Sequence, residues 1–152
     1  MKAVATNRKA RRNYQVAETC EAGIELKGNE VKSLRAKGCS LEESFARIEG
    51  EQAFLYNMHI SEFEKSCSFK PKPKRIRKLL LHKKEIKRLL GITAQRGLTL
   101  IPLKVYFNVR GFAKVELGLA KGRKIYDKRR KLKEKAIQKD SQAALKKYRV
   151  KI

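Results

Sequence analysis

The stretch that most limits what this chain can fold into runs from Tyr14 to Leu26. Its even positions are Tyr14, Val16, Glu18, Cys20, Ala22, Ile24 and Leu26; its odd positions are Gln15, Ala17, Thr19, Glu21, Gly23 and Glu25. Alternation of that length predicts a strand with one face in a core and the other in water. Glu18 is its only lapse and reads as a bend or bulge. Glu21 falls on the polar phase and points away from the core.

A second alternation matches it. From Thr99 the odd positions Thr99, Ile101, Leu103, Val105, Phe107 and Val109 are mostly apolar. After a turn near Gly111, Ala113, Val115, Leu117 and Leu119 continue the pattern, which predicts a hairpin. Pro102 has no N–H for a ladder, so it belongs at an edge or a bulge. Phe112, Lys114 and Glu116 then stand on the outer face. Between the two alternations, Gly28-Asn29 open a short helix with Val31, Leu34 and Arg35 on one face and Gly38 as its stop. Leu41 to Ile48 reads as a second strand, and Phe54 to Ile60 as a third, with Phe54, Tyr56, Met58 and Ile60 in phase. Nine Lys/Arg and no acid lie between Glu64 and Glu85, with Pro71 and Pro73 among them. That predicts a mobile basic loop. A helix follows, with Ile86, Leu89 and Leu90 on one face and Gly91 as its stop.

Three strands, a helix and two strands predict a mainly β fold. It is an OB-fold-like antiparallel barrel of five strands, closed or partly open, with a bridging helix and a small extra helix. An antiparallel sheet packed on helices is the alternative. Residues 1–12 read as a flexible basic arm, 13–120 as the folded body, and 121–152 as a basic tail. The tail has too few large apolar residues to fold alone. It is expected to be disordered when free.

Charge narrows the partner. The 152 residues carry 39 Lys/Arg against 15 Asp/Glu, a net +24, and 14 of the basic residues lie in 121–152 with only 3 acids. Positive charge on a body and a long tail suits a polyanion, because each neutralised phosphate releases counterions. Anionic lipid would call for a strongly amphipathic basic helix, and solubility alone seldom demands such a charge. RNA is the expected partner. No apolar run approaches membrane-spanning length, and Met1-Lys2-Ala3-Val4-Ala5 lacks the apolar core of a signal peptide. Cys20, Cys39 and Cys67 are odd in number and form no CxxC pair, so reduced thiols in a cytoplasmic protein are expected.

Catalysis finds little support. Glu42-Glu43, Glu49 with Glu51, and Glu62 with Glu64 could serve a metal nuclease, but read better as acids balancing a basic chain. His59 and His82 lack a nucleophile partner or metal-ligand spacing. No phosphate-cradling glycine motif is present. No enzyme activity, cofactor or metal is expected.

Six short blocks then stand in order. They are Asn7-Arg8-Lys9-Ala10-Arg11, Cys20-Glu21-Ala22-Gly23, Glu30-Val31-Lys32-Ser33-Leu34-Arg35, Arg77-Lys78-Leu79-Leu80-Leu81-His82, Gly97-Leu98-Thr99-Leu100-Ile101-Pro102-Leu103, and Gly118 to Arg129. Together the chain resembles the small protein B (SmpB) family, the SsrA- or tmRNA-binding proteins of bacteria. The resemblance implies an OB-fold barrel that holds the tRNA-like domain of tmRNA and rescues stalled ribosomes by trans-translation. It implies RNA contacts by Asn7, Arg8, Lys9, Arg11, Tyr14, Glu21, Lys32, Arg35, Leu80 and Lys114. It further implies that Lys121, Gly122, Arg123, Lys124, Tyr126, Asp127, Lys128, Arg129, Arg130 and Lys131 enter the ribosome. That segment would turn helical on the ribosome, meet small-subunit rRNA at the decoding centre and lie along the empty mRNA channel. Elongation factor Tu would be a partner through tmRNA.

The residues leave alternatives open. Glu21 and Lys114, taken alone, read as a cross-strand surface pair. Tyr14 is in the apolar phase, as a core ring with a wet hydroxyl would be. Leu80 can pack the helix or stack on a base. Lys32 and Arg35 lie on a helix that is either merely amphipathic or phosphate-facing. An integral ribosomal protein or a general structured-RNA binder is the alternative function, and a metal-dependent RNA-cleaving enzyme a second.

Overall fold

The protein is described as a computed structural model covering residues 3–64, 71–123, 136–138 and 141. Residues 1–121 form one compact unit and residues 122–152 another. Seven strands and three helices are found among the described residues of the first unit. They are β1 (Ala3–Thr6), α1 (Arg8–Asn13), β2 (Tyr14–Ile24), α2 (Gly28–Lys37), β3 (Phe45–Glu49), β4 (Gln52–Tyr56), β5 (Arg77–Leu80), α3 (Lys83–Arg96), β6 (Thr99–Phe107) and β7 (Ala113–Gly122). The strand order is β1-β6-β3-β4-β5-β2-β7, and β6 also pairs with β7. That last pairing joins the two ends, so six strands close a ring and β1 lies outside it on β6. The ring is mainly antiparallel and OB-like. Closure removes the exposed edges that an open sheet would present.

The expected strands at 14–26, 41–48 and 99–119 are present with shifted ends: β2 stops at Ile24, β3 spans Phe45–Glu49 and β7 runs on to Gly122. β2 alternates as its sequence requires, with Ala22 and Ile24 buried and Glu21 exposed. The burial alternation continues through Glu18, which sits half-buried, and its carboxylate accepts a hydrogen bond from Arg88 Nη1 at 2.6 Å. In β6 the pattern departs from simple alternation, because the ladder to β7 slips between Pro102 and Lys104. The bulge lets β6 bury both faces. Leu100 and Val105 join the barrel core with Leu55, Leu79, Leu117 and Leu119. Ile101 and Leu103 form a second cluster with Ala10 and Ala120. At Gly118 an added Cβ would lie 3.0 Å from Leu103 Cδ1 and 3.2 Å from Val16 Cγ1. Glycine is what that close packing permits.

Five expectations are corrected. The flexible arm is ordered from Ala3, because β1 pairs with β6 and Asn7 anchors the start of α1. The third strand faces the core with Ala53 and Leu55, not Phe54 and Tyr56. Asn57 adopts φ of 58°, and the kink brings Met58 and Ile60 inward beyond the strand. Within the basic loop, residues 77–80 are strand β5 and pair with both β2 and β4. The second long helix runs through Gly91 and stops at Gly97, whose left-handed φ of 58° ends it. On α2 the buried face is Glu30, Ser33 and Leu34; Arg35 is exposed.

A buried ionic cluster explains the burial of Glu30 and fixes the described residues that lead into β5, 71–76; the rest of the expected basic loop, 65–70, lies outside the described residues. Glu30 and Arg77 side chains are 3% and 0% exposed, with Arg77 Nη2 2.8 Å from Glu30 Oε1. Arg75 Nε donates to the same oxygen at 2.9 Å, and the Lys27 N–H donates to Glu30 Oε2 at 2.8 Å. Arg77 also donates to the carbonyls of Met58, Arg75 and Pro73. Burial pushes the Glu30 carboxyl upward, but the hydrogen bonds from Arg75 and Lys27 and the Arg77 and Arg75 charges outweigh it and hold it below the ordinary range. Buried ions persist only when paired and hydrogen-bonded in this way.

In the second unit, residues 136–138 and 141 are helical, and Ser141 Oγ donates to the Ile137 carbonyl at 2.9 Å. The expectations placed on Lys124, Tyr126, Asp127, Lys128, Arg129, Arg130 and Lys131 lie outside the described residues, as does Cys67. Lys121 and Gly122, expected as tail, are the last residues of β7.

Candidate RNA interface

β2, β5, β7 and the start of α3 surround an open cleft of about 950 Å³. Three residues singled out by the resemblance meet there. Glu21 from β2 and Lys114 from β7 form an ion pair at 3.2 Å, 51% and 30% exposed. Leu80 from β5 stands beside them, 54% exposed. The close approach of β2 to β5 holds Leu80 in place: Gly23 pairs with it in register, and a Cβ at Gly23 would lie only 3.1 Å from Leu80 Cβ. The outer phase of each strand thus delivers an acceptor, a cation and an apolar side chain to one concave surface. The carboxylate can accept from a 2′-OH or a base amino group, the ammonium can meet phosphate, and the leucine can lie against an unstacked base. An exposed pair such as Glu21–Lys114 adds little to stability, so it is readily exchanged for ligand contacts.

Further residues complete the wall. Lys78, His82, Lys83 and Arg88 line the same cleft. Helix periodicity left Arg88 unremarked because it is off the apolar face of α3. The signal that could have found it is Glu18, an acid on the otherwise apolar phase of β2, which pairs with Arg88 of α3 at 2.6 Å. Cys20 also lines the cleft; burial, then the Glu85 charge, raise its pKa, so it stays a thiol. No group of three or more His, Cys, Asp or Glu suited to a metal occurs among the described residues.

The remaining expected contacts divide. Tyr14 is not in this cleft. It is half-buried against the Ala10–Ile101–Leu103–Ala120 cluster and lines a separate hollow of about 370 Å³ with Asn7, Lys9 and Phe45. Arg8, Lys9 and Arg11 are exposed on α1, and Lys9 pairs with Glu42 at 3.0 Å. Asn7 serves as an internal clamp. It is 6% exposed, its Nδ2 donates to the carbonyls of Leu41 and Pro102, and its Oδ1 accepts from the Ala10 N–H. Both of its amide protons are thereby used inside the protein. Lys32 is exposed on α2. Arg35 lies 5.1 Å above the Phe107 ring and donates to the Gly111 carbonyl, bracing the β6–β7 hairpin.

A closed OB-like barrel, an open cleft walled by mixed charge, and a net +24 define a nucleic-acid-binding protein. Comparison with known proteins narrows the class. The family model described as "SmpB protein" matches residues 4–147. An "SsrA-binding protein" of Pelotomaculum thermopropionicum is 53% identical over 146 residues, covering 96% of this chain and 95% of the relative. One from Thermus thermophilus is 55% identical over 137 residues, covering 90% and 95%. A solved structure described as "tmRNA-SmpB: a journey to the center of the bacterial ribosome" contains a chain 55% identical to this one. It superposes with a TM-score of 0.67 and covers 88% of this chain and 93% of that one. The chain belongs to the SmpB family.

Proposed function

We propose that this protein is a tmRNA-binding adaptor of trans-translation, acting at the ribosome without catalysing a reaction itself. The observation that carries the reading is the convergence of Glu21, Leu80 and Lys114 in one cleft from three different strands. The SsrA-binding relatives and the tmRNA–SmpB structural neighbour support the identity of the RNA. The cleft holds the tRNA-like domain of tmRNA by its shape and backbone, with Lys114 on phosphate and Glu21 on a hydroxyl or amino group. The basic segment from Arg123 onward lies along the empty mRNA channel and reaches small-subunit rRNA at the decoding centre. Its Lys/Arg residues are neutralised there by phosphate. Elongation factor Tu is met through tmRNA. No described helix is long and apolar enough to cross a membrane, and the site of action is the cytoplasm, with the ribosome.

The test is binding of the full chain to tmRNA and to an equal-length RNA lacking the tRNA-like domain, across a salt series. A large preference that survives raised salt supports shape recognition. Equal affinities that collapse together would leave only a basic RNA binder and overturn the adaptor.

A further inference from the structure

One feature of the barrel plays no part in the cleft. The outward phase of β3 and β4 carries Phe45, Arg47 and Glu49 on one strand and Phe54 and Tyr56 on the other, while Ala46, Ala53 and Leu55 turn into the core. None of the three aromatic rings joins either core cluster. Register places Phe45 opposite Tyr56, and sets Arg47, Phe54 and Lys78 in a row across β3, β4 and β5. The Phe45 and Tyr56 rings stack with centroids 5.2 Å apart and planes 6° from parallel. Tyr56 is held in that pose because its hydroxyl donates to Glu49 Oε1 at 2.6 Å.

We propose that this face is a second RNA-binding surface, one that takes an unpaired segment by stacking its bases on the Phe45–Tyr56 pair and on Phe54, with Arg47 and Lys78 meeting the phosphates. Three half-buried rings on a sheet face are costly to leave against water. Rings preset by a cross-strand stack and a hydrogen bond lose little freedom on binding. Bases stack on aromatic platforms whatever their identity, and interleaved cations track the backbone between them. Arg47 and Lys78 flank Phe54 in register, and the one carboxylate among them, Glu49, already accepts from Tyr56, so cations interleaved with rings suit a polyanion that also offers flat faces to stack. Lys78 also lines the Glu21–Lys114 cleft, so the two surfaces share a border. A strand leaving a structured RNA in the cleft can pass directly onto the stripe. The cleft of Glu21 and Lys114 contains none of the three rings.

The experiment must separate stacking from charge, because the basic tail attracts any polyanion. Full-length protein is titrated with an oligoadenylate of about twelve nucleotides and with an abasic phosphodiester of the same length. Charge acts equally on both probes, so the ratio of affinities reports contact with bases. The expected result is a preference for the base-bearing oligomer of about tenfold or more. It falls to about twofold or less in a Phe45→Leu/Tyr56→Leu variant whose thermal midpoint stays close to that of the parent. In that variant, affinity for the isolated tRNA-like RNA remains within about twofold. Lys114→Ala shows the converse behaviour, keeping the base preference whether or not the cleft reading is correct. A parent protein indifferent to bases overturns the inference, and is the outcome if this face meets a protein instead. Survival of the preference in the double variant overturns it as well. So does an equal loss of tRNA-like RNA binding, because the stripe would then not be a separate surface.

Discussion

Replacing Glu30 by Gln tests whether the buried ionic cluster holds the body together. The change keeps side-chain volume and removes one charge. It also turns an amide NH2 toward the guanidinium groups of Arg75 and Arg77, where a carboxylate had accepted from both. Arg77 is fully buried and cannot turn to water; Arg75, 23% exposed, can. Removing one partner of a buried pair leaves an uncompensated charge, at about 3–5 kcal/mol. The carbonyls of Met58, Arg75 and Pro73 still accept from Arg77, which favours the lower end. Against a total stability of about 5–15 kcal/mol, such a loss is large. It corresponds to a fall in Tm on the order of 10 °C. Urea unfolding followed by circular dichroism is the assay, because guanidinium would screen the charges. Glu30→Leu combined with Arg77→Met should recover at least half of the loss, since no buried charge remains. The pH dependence has a definite sign. The folded-state pKa of Glu30 lies below its ordinary value of about 4.5. Its contribution is therefore complete above that value and disappears as pH falls through the folded pKa. The deficit of Glu30→Gln relative to the parent should shrink in acid. A loss under about 1 kcal/mol at neutral pH, or a deficit unchanged by acid, would refute the cluster as a stabilising element.

Three further outcomes are expected. Lys114→Ala should weaken tmRNA binding by about 1–2 kcal/mol, as for a charge-assisted contact; unchanged affinity in a filter-binding titration would remove Lys114 from the interface. Truncation after Arg123, which spares β7, should leave tmRNA affinity intact and abolish peptide tagging in a reconstituted translation reaction, whereas equal loss of both would sink the separation of cleft and tail. Asn7→Ala should destabilise the body by about 2 kcal/mol in urea unfolding, through a lost helix cap and the lost hydrogen bonds to the Leu41 and Pro102 carbonyls. It should leave the salt dependence of RNA binding unchanged; a flatter salt slope would instead mark Asn7 as part of the RNA contact network.

Local order was legible wherever one physical cause governed it. Two-residue alternation along Tyr14–Ile24 and Ala113–Leu119 specified strands, and which side chains leave the core, because successive side chains must point to opposite faces. That is why Glu21 and Lys114 could be placed on the outer surface from the sequence alone, and why the charge pattern pointed to RNA. Where two causes compete locally, pattern reading fails. Gly91 carries a stop signal, but the apolar face of α3 continues past it until Gly97 is reached. Asn57 shifts the phase of a run that otherwise reads as one strand.

Long-range pairing decided the remainder. The sequence by itself determined which strands form, where the positive charge lies and, through six ordered blocks, the family. Only the tertiary structure made Asn7 a clamp, when Leu41 and Pro102 brought their carbonyls to its amide. Only the ring closure drew Arg77 from a basic run onto a buried carboxylate 47 residues away. Barrel closure likewise gathered Glu21, Leu80 and Lys114 while leaving Tyr14 in a different hollow. The reason is physical. Which face a residue occupies is set by its neighbours in the chain, but what it touches is set by which strands share an edge, and that depends on the burial of the whole core.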